Sequence, residues 1–306
     1  MSLNSVNTNI SAQVALQSLN QTSSGLQTVQ KAISTGYRVN DATDDGGAFA
    51  VAQKVRSDVS ALTSVNQQLG NAKGLVTTAI SSLTSISDSF TSAKALLVKI
   101  ADASISDDQR EQYLSSFKTL VSSVANAVDG STYNGQTLLG SAAGAVAGTS
   151  KTVINNEAGA TSTISAEDNS TTANALAALV GGTFSRSAAG VDTFTGTLGT
   201  YSSATDATAQ TAAAAALLTG AGFDTAQTSL ANQLNQAGAD SNYLDSQTTF
   251  NSNKIDSLNS GLGSLVDADL SKESALLQSL QIKQQLGTQA LSIANQAPQS
   301  LLSLFK

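Results

Sequence analysis

Three carboxylates stand close together in the stretch VNDATDDGG, at Asp41, Asp44 and Asp45. Oxygen ligands this near one another suggest a divalent cation, but the spacing falls short of the six to eight ligands of a calcium loop. Asp ahead of a helix more commonly caps it, and capping with a turn is the reading taken here. Other chemistry has little to work with. The chain has no His and no Cys, so it has no imidazole base, no thiol nucleophile, no disulfide and no thiolate metal site. No GxxxxGK[ST] phosphate loop occurs. A Ser–Lys or paired-carboxylate site stays open, because spatial neighbours are invisible in sequence. The expectation is a protein that is not an enzyme and needs no cofactor or metal.

The other residues with something to do lie at the C-terminus. Leu301, Leu302, Leu304 and Phe305 fall within the last six residues, LLSLFK, beside a single charge. A terminus normally frays in water. Burying these four side chains would contribute roughly 6–12 kcal/mol at about 1.5–3 each. Association costs about 4–15 kcal/mol before segment ordering is counted, so one apolar turn cannot hold a partner by itself. A longer stretch must be buried with it.

Composition narrows the setting. Charged residues are 12% of the 306, against about a quarter in ordinary domains. The net charge of −7 and scattered Lys and Arg argue against a nucleic-acid partner. The longest clean apolar run, AAAAALL at 212–218, is far short of the roughly 20 residues of a membrane helix. The opening MSLNSVNTNISAQ has no positive charge before Lys31 and no apolar core, unlike a Sec-type signal. A single Pro, Pro298, permits long helices elsewhere and implies a kink or loosened turn near the end.

Alternating steps of four and three run from Leu62 through Val65, Leu69, Ala72, Val76, Ala79, Leu83, Ile86, Phe90, Ala93 and Leu97 to Ile100. Backwards the series continues through Asp58, its one polar member, to Val55, Val51 and Ala48. This heptad seam predicts one helix of roughly 80 Å. A second helix follows Ser106, whose pairing with Gln109 makes a capping box with Ile105 as staple; Tyr113, Phe117, Leu120, Val124 and Ala127 form its stripe, and Asp129-Gly130 ends it. A third is expected over 224–266, capped by Asp224, with Leu230, Leu234, Ala237, Leu244, Ile255, Leu258, Leu262 and Leu265 inward. Three such helices suit an antiparallel bundle.

Both chain ends read as amphipathic helices. Ala12, Leu16, Leu19, Leu26, Ile33 and Tyr37 make the first stripe, with Ser23 and Gln30 filling seam positions. Leu277, Leu280, Leu291, Ala294, Leu301 and Phe305 make the last, interrupted by Gln284 and Gly287. Ile10, Val14 and Val29 lie off the first stripe, and Ile282, Leu286 and Ile293 off the second. Helices apolar on more than one side expect cover on more than one side. Pairing the ends with each other would leave a face of each bare. Between them, KTVINNEAGATSTIS reads as two strands around a Gly turn, FTGTLGTY as a weaker strand, and NALAALV and ATDATAQTAAAAALL as helical.

The segments NTNISAQVALQSLNQTSSGLQTVQKAISTGYRVNDATDDGGAFAVAQKVR, TYNGQTLL and DADLSKESALLQSLQIKQQLGTQALSIANQAPQSLLSLFK resemble, in that order, the two ends of bacterial flagellins. The likeness covers roughly 1–140 and 224–306 and omits the middle. It implies a mainly α fold: a long antiparallel helical bundle and coiled coil built from both chain ends, with a small variable region containing a β-hairpin. Residues 1–40 with 268–306 would form an inner terminal coiled-coil domain, 41–140 with 224–267 the long-helix bundle, and 141–223 a small outer region.

The resemblance also implies self-polymerisation into the flagellar filament, outside the cell, after export without a cleaved signal peptide. Subunit packing would fall on Ile10, Val14, Leu16, Leu19, Leu26, Ile33, Leu280, Leu286, Leu291, Leu301, Leu302, Leu304 and Phe305. Partners would be copies of the chain, a flagellar export chaperone, and the cap and junction proteins, with no membrane. The zinc-binding HExxH of some flagellins is absent. In enteric flagellins an innate immune Toll-like receptor binds an Arg-rich stretch resembling SFTSAKALLVKIA, and the principal Arg position is Ser92 here, which implies weak or no receptor activation. Two other readings are a hook–filament junction protein of the same export system and a secreted coiled-coil effector or adhesin.

Overall fold

The computed structural model describes residues 9–140, 148–166, 183–186, 192–195, 207–219 and 221–304. Six helices dominate: α1 (Ile10–Thr35), α2 (Gly46–Ile100), α3 (Asp107–Asp129), α4 (Ala207–Thr219), α5 (Ala221–Val266) and α6 (Leu270–Leu304). Three antiparallel strand pairs interrupt them: β1 (Thr132–Tyr133) with β2 (Gln136–Thr137), β3 (Lys151–Ile154) with β4 (Thr161–Ile164), and β5 (Thr183–Arg186) with β6 (Asp192–Thr195). The mainly α class with small hairpins is the one the sequence implies.

The chain divides into two compact units, Met1–Ser60 with Ile255–Lys306, and Ala61–Lys254. The second unit holds most of the buried apolar side chains. Every seam residue from Leu62 to Ile100 is buried, Leu62, Leu69, Leu83 and Ile86 completely. From Val65 onward they meet Leu114, Phe117, Val121, Val124 and Val128 of α3 and Phe223, Leu230 and Leu244 of α5 in one cluster. The Phe90 and Phe223 rings touch at a 5.5 Å centroid distance with a 43° tilt between their planes, within the separation at which aromatic rings interact. Leu138 and Leu139, directly after β2, and Val153 and Ile164 of the β3–β4 hairpin join the same cluster.

Local signals explain the helix ends. Ser106 and Gln109 form the reciprocal capping box. Arg110 lies buried, and its guanidinium donates to the carbonyl of Ile100 and, at 3.0 Å, to that of Asp102, closing the end of α2. In the turn of β1–β2, Asn134 and Gly135 adopt φ of 51° and 71°, the pair of left-handed residues a two-residue hairpin requires. The β3–β4 loop turns at Gly159, φ 82°.

Several expectations shift. The α3 stripe centres one residue further on, at Leu114, Val121 and Val128, leaving Tyr113, Leu120 and Ala127 half-buried at its flank. Helix α5 starts at Ala221, so Asp224 sits in its first turn, where a carboxylate suits the helix dipole, and does not cap it. Near the start of α2 the buried line moves from Val51, 54% exposed, to Ala52, fully buried against Val39 and Val266. A strict seven-residue repeat drifts by about 20° per heptad on a straight helix, so a seam this long changes phase. Strand β5 carried no signal that the sequence reading used. Of FTGTLGTY, 194–195 fall in β6 and the rest lies outside the described residues, as does NALAALV.

Candidate functional site

The first unit is built on an antiparallel pair, α1 against α6. Asn9 caps α1 by accepting from the Ala12 amide at 3.0 Å, and its Nδ2 donates to the Ala294 carbonyl at 2.7 Å. A Cβ on Gly287 would lie 3.3 Å from Leu19 Cδ1, and one on Gly25 would lie 3.5 Å from Leu280 Cδ1. The glycines therefore let each helix receive a leucine of the other. At the other end, Ala268 N–H donates to Gly36 O at 2.9 Å and Arg38 N–H to Val266 O at 2.7 Å. Gly36 terminates α1 at φ 75°.

The α6 seam is the expected one: Leu277, Leu280, Gln284, Gly287, Leu291 and Ala294 all turn inward and are half-buried. On α1 the expected stripe is corrected. Ala12, Ala15, Leu19, Thr22, Leu26, Val29 and Ile33 face inward, whereas Leu16 is 48% exposed and Gln30 is exposed. Small Ala15 and Thr22 fit a close helix pair where larger residues would hold it apart, and the Thr22 hydroxyl donates to Ser18 O at 2.9 Å. Apolar counting alone favours Leu16 over Ala15, which is why the sequence reading missed this phase.

The sequence-predicted packing residues thus fall into three groups. Leu19, Leu26, Ile33, Leu280 and Leu291 lie in the seam between α1 and α6. Ile10, Val14, Leu16 and Leu286 are exposed, joined by Ile282 and Ile293, the latter at 67%. Leu301, Leu302 and Leu304 belong to α6, but their side chains lie outside the described residues, as do Phe305 and the side chain of Pro298. Among the described residues, ten of the fourteen exposed large apolar side chains belong to this unit, the other four being Val98, Tyr133, Tyr243 and Phe250. The smaller unit thus carries most of the uncovered apolar surface.

The three aspartates serve the turn between α1 and α2. Lys31 Nζ bridges Asp41 at 2.6 Å and Asp44 at 2.9 Å. Asp44 also accepts the Asn40 amide, and Asp45 accepts the amides of Gly47 and Ala48, capping α2. The hydrogen bond from Lys31, then those from Thr43, hold the Asp41 carboxyl well below the usual range; Lys31 and the Asn40 amide lower Asp44, and the two carboxylates raise Lys31. No cluster of three His, Cys, Asp or Glu arranged for a metal occurs among the described residues. No described helix is long and apolar enough to cross a membrane.

Comparison with known proteins decides the family. The model of the bacterial flagellin N-terminal helical region matches residues 6–143, and that of the C-terminal helical region matches 221–305. The chain belongs to the bacterial flagellin family. Flagellin FljK of Caulobacter vibrioides is 35% identical over 306 residues, all of both chains. A flagellin of Brucella melitensis is 35% identical over 308 residues and 99% of each chain. A solved flagellar hook-associated protein of Vibrio parahaemolyticus is 15% identical, covers 78% of this chain and 98% of its own, and has a TM-score of 0.33; a likeness that weak carries no argument. This flagellin is a structural subunit of the extracellular flagellar filament of a swimming bacterium. The full-length matches favour neither the junction-protein nor the adhesin reading.

Proposed function

We propose that copies of this flagellin polymerise by burying the α1–α6 pair against one another. The observation that carries this is the exposure of Ile10 and Val14 on α1 and of Ile282, Leu286 and Ile293 on α6, away from the seam that the two helices share. A helix pair apolar on its outer faces as well as its inner one is built to be covered twice. Leu19, Leu26, Ile33, Leu280 and Leu291 hold the pair together. Ile10, Val14, Leu16 and Leu286, with Leu301, Leu302, Leu304 and Phe305 near the C-terminus, pack on neighbours.

In this reading residues 1–40 with 268–306 form the inner coiled coil, 41–140 with 224–267 the surrounding bundle, and 141–223 the outward region. Absence of cysteine suits passage of an unfolded chain through the flagellar export channel. An export chaperone would cover the apolar C-terminal helix before assembly, and cap and junction proteins would bound the filament. Ser92, exposed on α2, is too short to supply the contact an Arg gives the Toll-like receptor, so purified monomer triggers receptor-bearing reporter cells weakly; potent activation would refute that part. Removing the last six residues tests the packing role. The truncated chain is expected to remain helical and monomeric and to form no long filaments by electron microscopy; normal filaments would overturn the assignment.

A further inference from the structure

Asn134 and Gly135 make the turn between β1 and β2, and residues 132–136 are all exposed. Of all the asparagines in the chain, Asn134 alone precedes a glycine. An asparagine side-chain amide lies within reach of the next residue's backbone nitrogen, and a glycine, having no Cβ, leaves that nitrogen unshielded. Asparagine is among the thermolabile residues for this kind of reason. The ladder holding the turn is short: Thr132 pairs with Thr137 and Tyr133 with Gln136. So small a hairpin opens readily. Opening frees Asn134 and Gly135 from their left-handed φ of 51° and 71° and admits the geometries in which the nitrogen can attack.

We propose that Asn134 is a site of spontaneous deamidation and isomerisation whose product loosens the second unit locally. The Gly135 nitrogen gives up its proton to water and bonds to Asn134 Cγ; the Cγ–Nδ2 bond breaks, and ammonia leaves after taking a proton back. A five-membered succinimide results. Water then opens the ring at one of its two bonds to nitrogen. Cleavage at Cγ leaves an aspartate, and cleavage at the backbone carbonyl leaves an isoaspartate, whose main chain runs through Cβ and Cγ and is one atom longer. The net change consumes one water and releases one ammonia, with no oxidant or reductant. The extra atom matters because a two-residue loop fixes hairpin register. That register brings Thr137 Oγ1 to 3.2 Å from Ser131 Oγ and lets it accept the Leu139 amide at 3.1 Å. Leu138 and Leu139 are buried in the core cluster. Tyr133 rests against Gly74 of α2, where a Cβ would come within 2.7 Å of the Tyr133 ring. Isoaspartate therefore disturbs the core and the α2 contact together. An aspartate keeps the backbone count, and its charge faces a groove whose one charged lining residue is Lys151. In an extracellular filament subunit the isoaspartate form accumulates with age.

Full-length protein aged in mildly alkaline buffer tests this. Digestion and mass spectrometry are expected to find Asn134 converting faster than every other asparagine, with isoaspartate among the products. In the isoaspartate fraction, amides of residues 131–139 are expected to exchange with solvent about tenfold faster or more than in fresh protein, as a ladder out of register would. Asn134→Gln, whose longer side chain closes the ring far more slowly, is expected to age without that change. Fresh Asn134→Asp is expected to exchange like the fresh parent, which separates the extra atom from the added charge and serves as the control should Asn134→Gln fold poorly. Asn134 converting no faster than the other asparagines would overturn the proposal. So would an isoaspartate fraction that exchanges like fresh protein at 131–139, or fresh Asn134→Asp that exchanges as fast as that fraction.

Discussion

Leu19 of α1 packs onto Gly287 of α6, with a Cβ at position 287 falling 3.3 Å from Leu19 Cδ1. The relationship sets the spacing of the terminal pair. Gly287→Leu should force the helices apart and raise the critical concentration severalfold, because a bulky side chain cannot enter a close contact without displacing it. Gly287→Ala should be near neutral: helix propensity gains about 1 kcal/mol, and the flexible end of Leu19 can yield. Sedimentation of polymer across a concentration series separates the two.

The turn joining α1 to α2 depends on Lys31 and its two aspartates. Asp41 and Asp44 have lowered folded values, so their stabilisation is fully present above the unfolded carboxyl value of about 3.9 and is lost as pH falls through the folded values. Lys31 is raised, so its share is present below about 10.4 and lost only as pH rises beyond its folded value. The turn should therefore hold unchanged from about pH 5 to 10 and loosen in stronger acid. Lys31→Met should weaken it at neutral pH and flatten the acid dependence, read by amide exchange of residues 36–48.

Arg110 closes α2 by donating to the Ile100 and Asp102 carbonyls from a site only 3% exposed. Arg110→Ala should cost about 1–3 kcal/mol for leaving the Ile100 carbonyl buried without a donor. Arg110→Lys should recover part of that, since an ammonium lacks the planar fork that reaches two acceptors. Urea denaturation measures both.

Phe90 is 1% exposed and meets Phe223 in the bundle core. Phe90→Ala should destabilise that unit by about 3–5 kcal/mol, seen as a lower urea midpoint. Exposed apolar residues of the terminal pair should behave in the opposite manner. Ile293→Ala, at a position 67% exposed, should leave the midpoint unchanged and impair polymerisation.

Much of this architecture could be read from spacing because each long helix has a continuous partner. The line from Leu62 to Ile100 survives intact as buried residues, and from Val65 onward it shares one core cluster with α3 and α5. The capping box at Ser106 was legible for another reason: it is specified by residues within four positions of one another. Phase was harder. Ala15 in place of Leu16 follows from close helix approach, which rewards small side chains that a hydrophobic count undervalues, and Ala52 in place of Val51 follows from the drift of a seven-residue repeat along a long helix. The candidate site was legible only as excess: Ile282, Leu286 and Ile293 announce a face needing cover, and nothing in one chain's sequence says where on a neighbour that cover lies.

Hydrogen exchange of the terminal helices tests the central claim most directly. In dilute monomer, amides of residues 10–35 and 270–304 should exchange orders of magnitude faster than those of 62–100, because a helix pair bare on its outer faces opens readily. In assembled polymer the same amides should become as protected as the bundle. Terminal helices already protected to the level of the bundle in the dilute monomer would contradict the account.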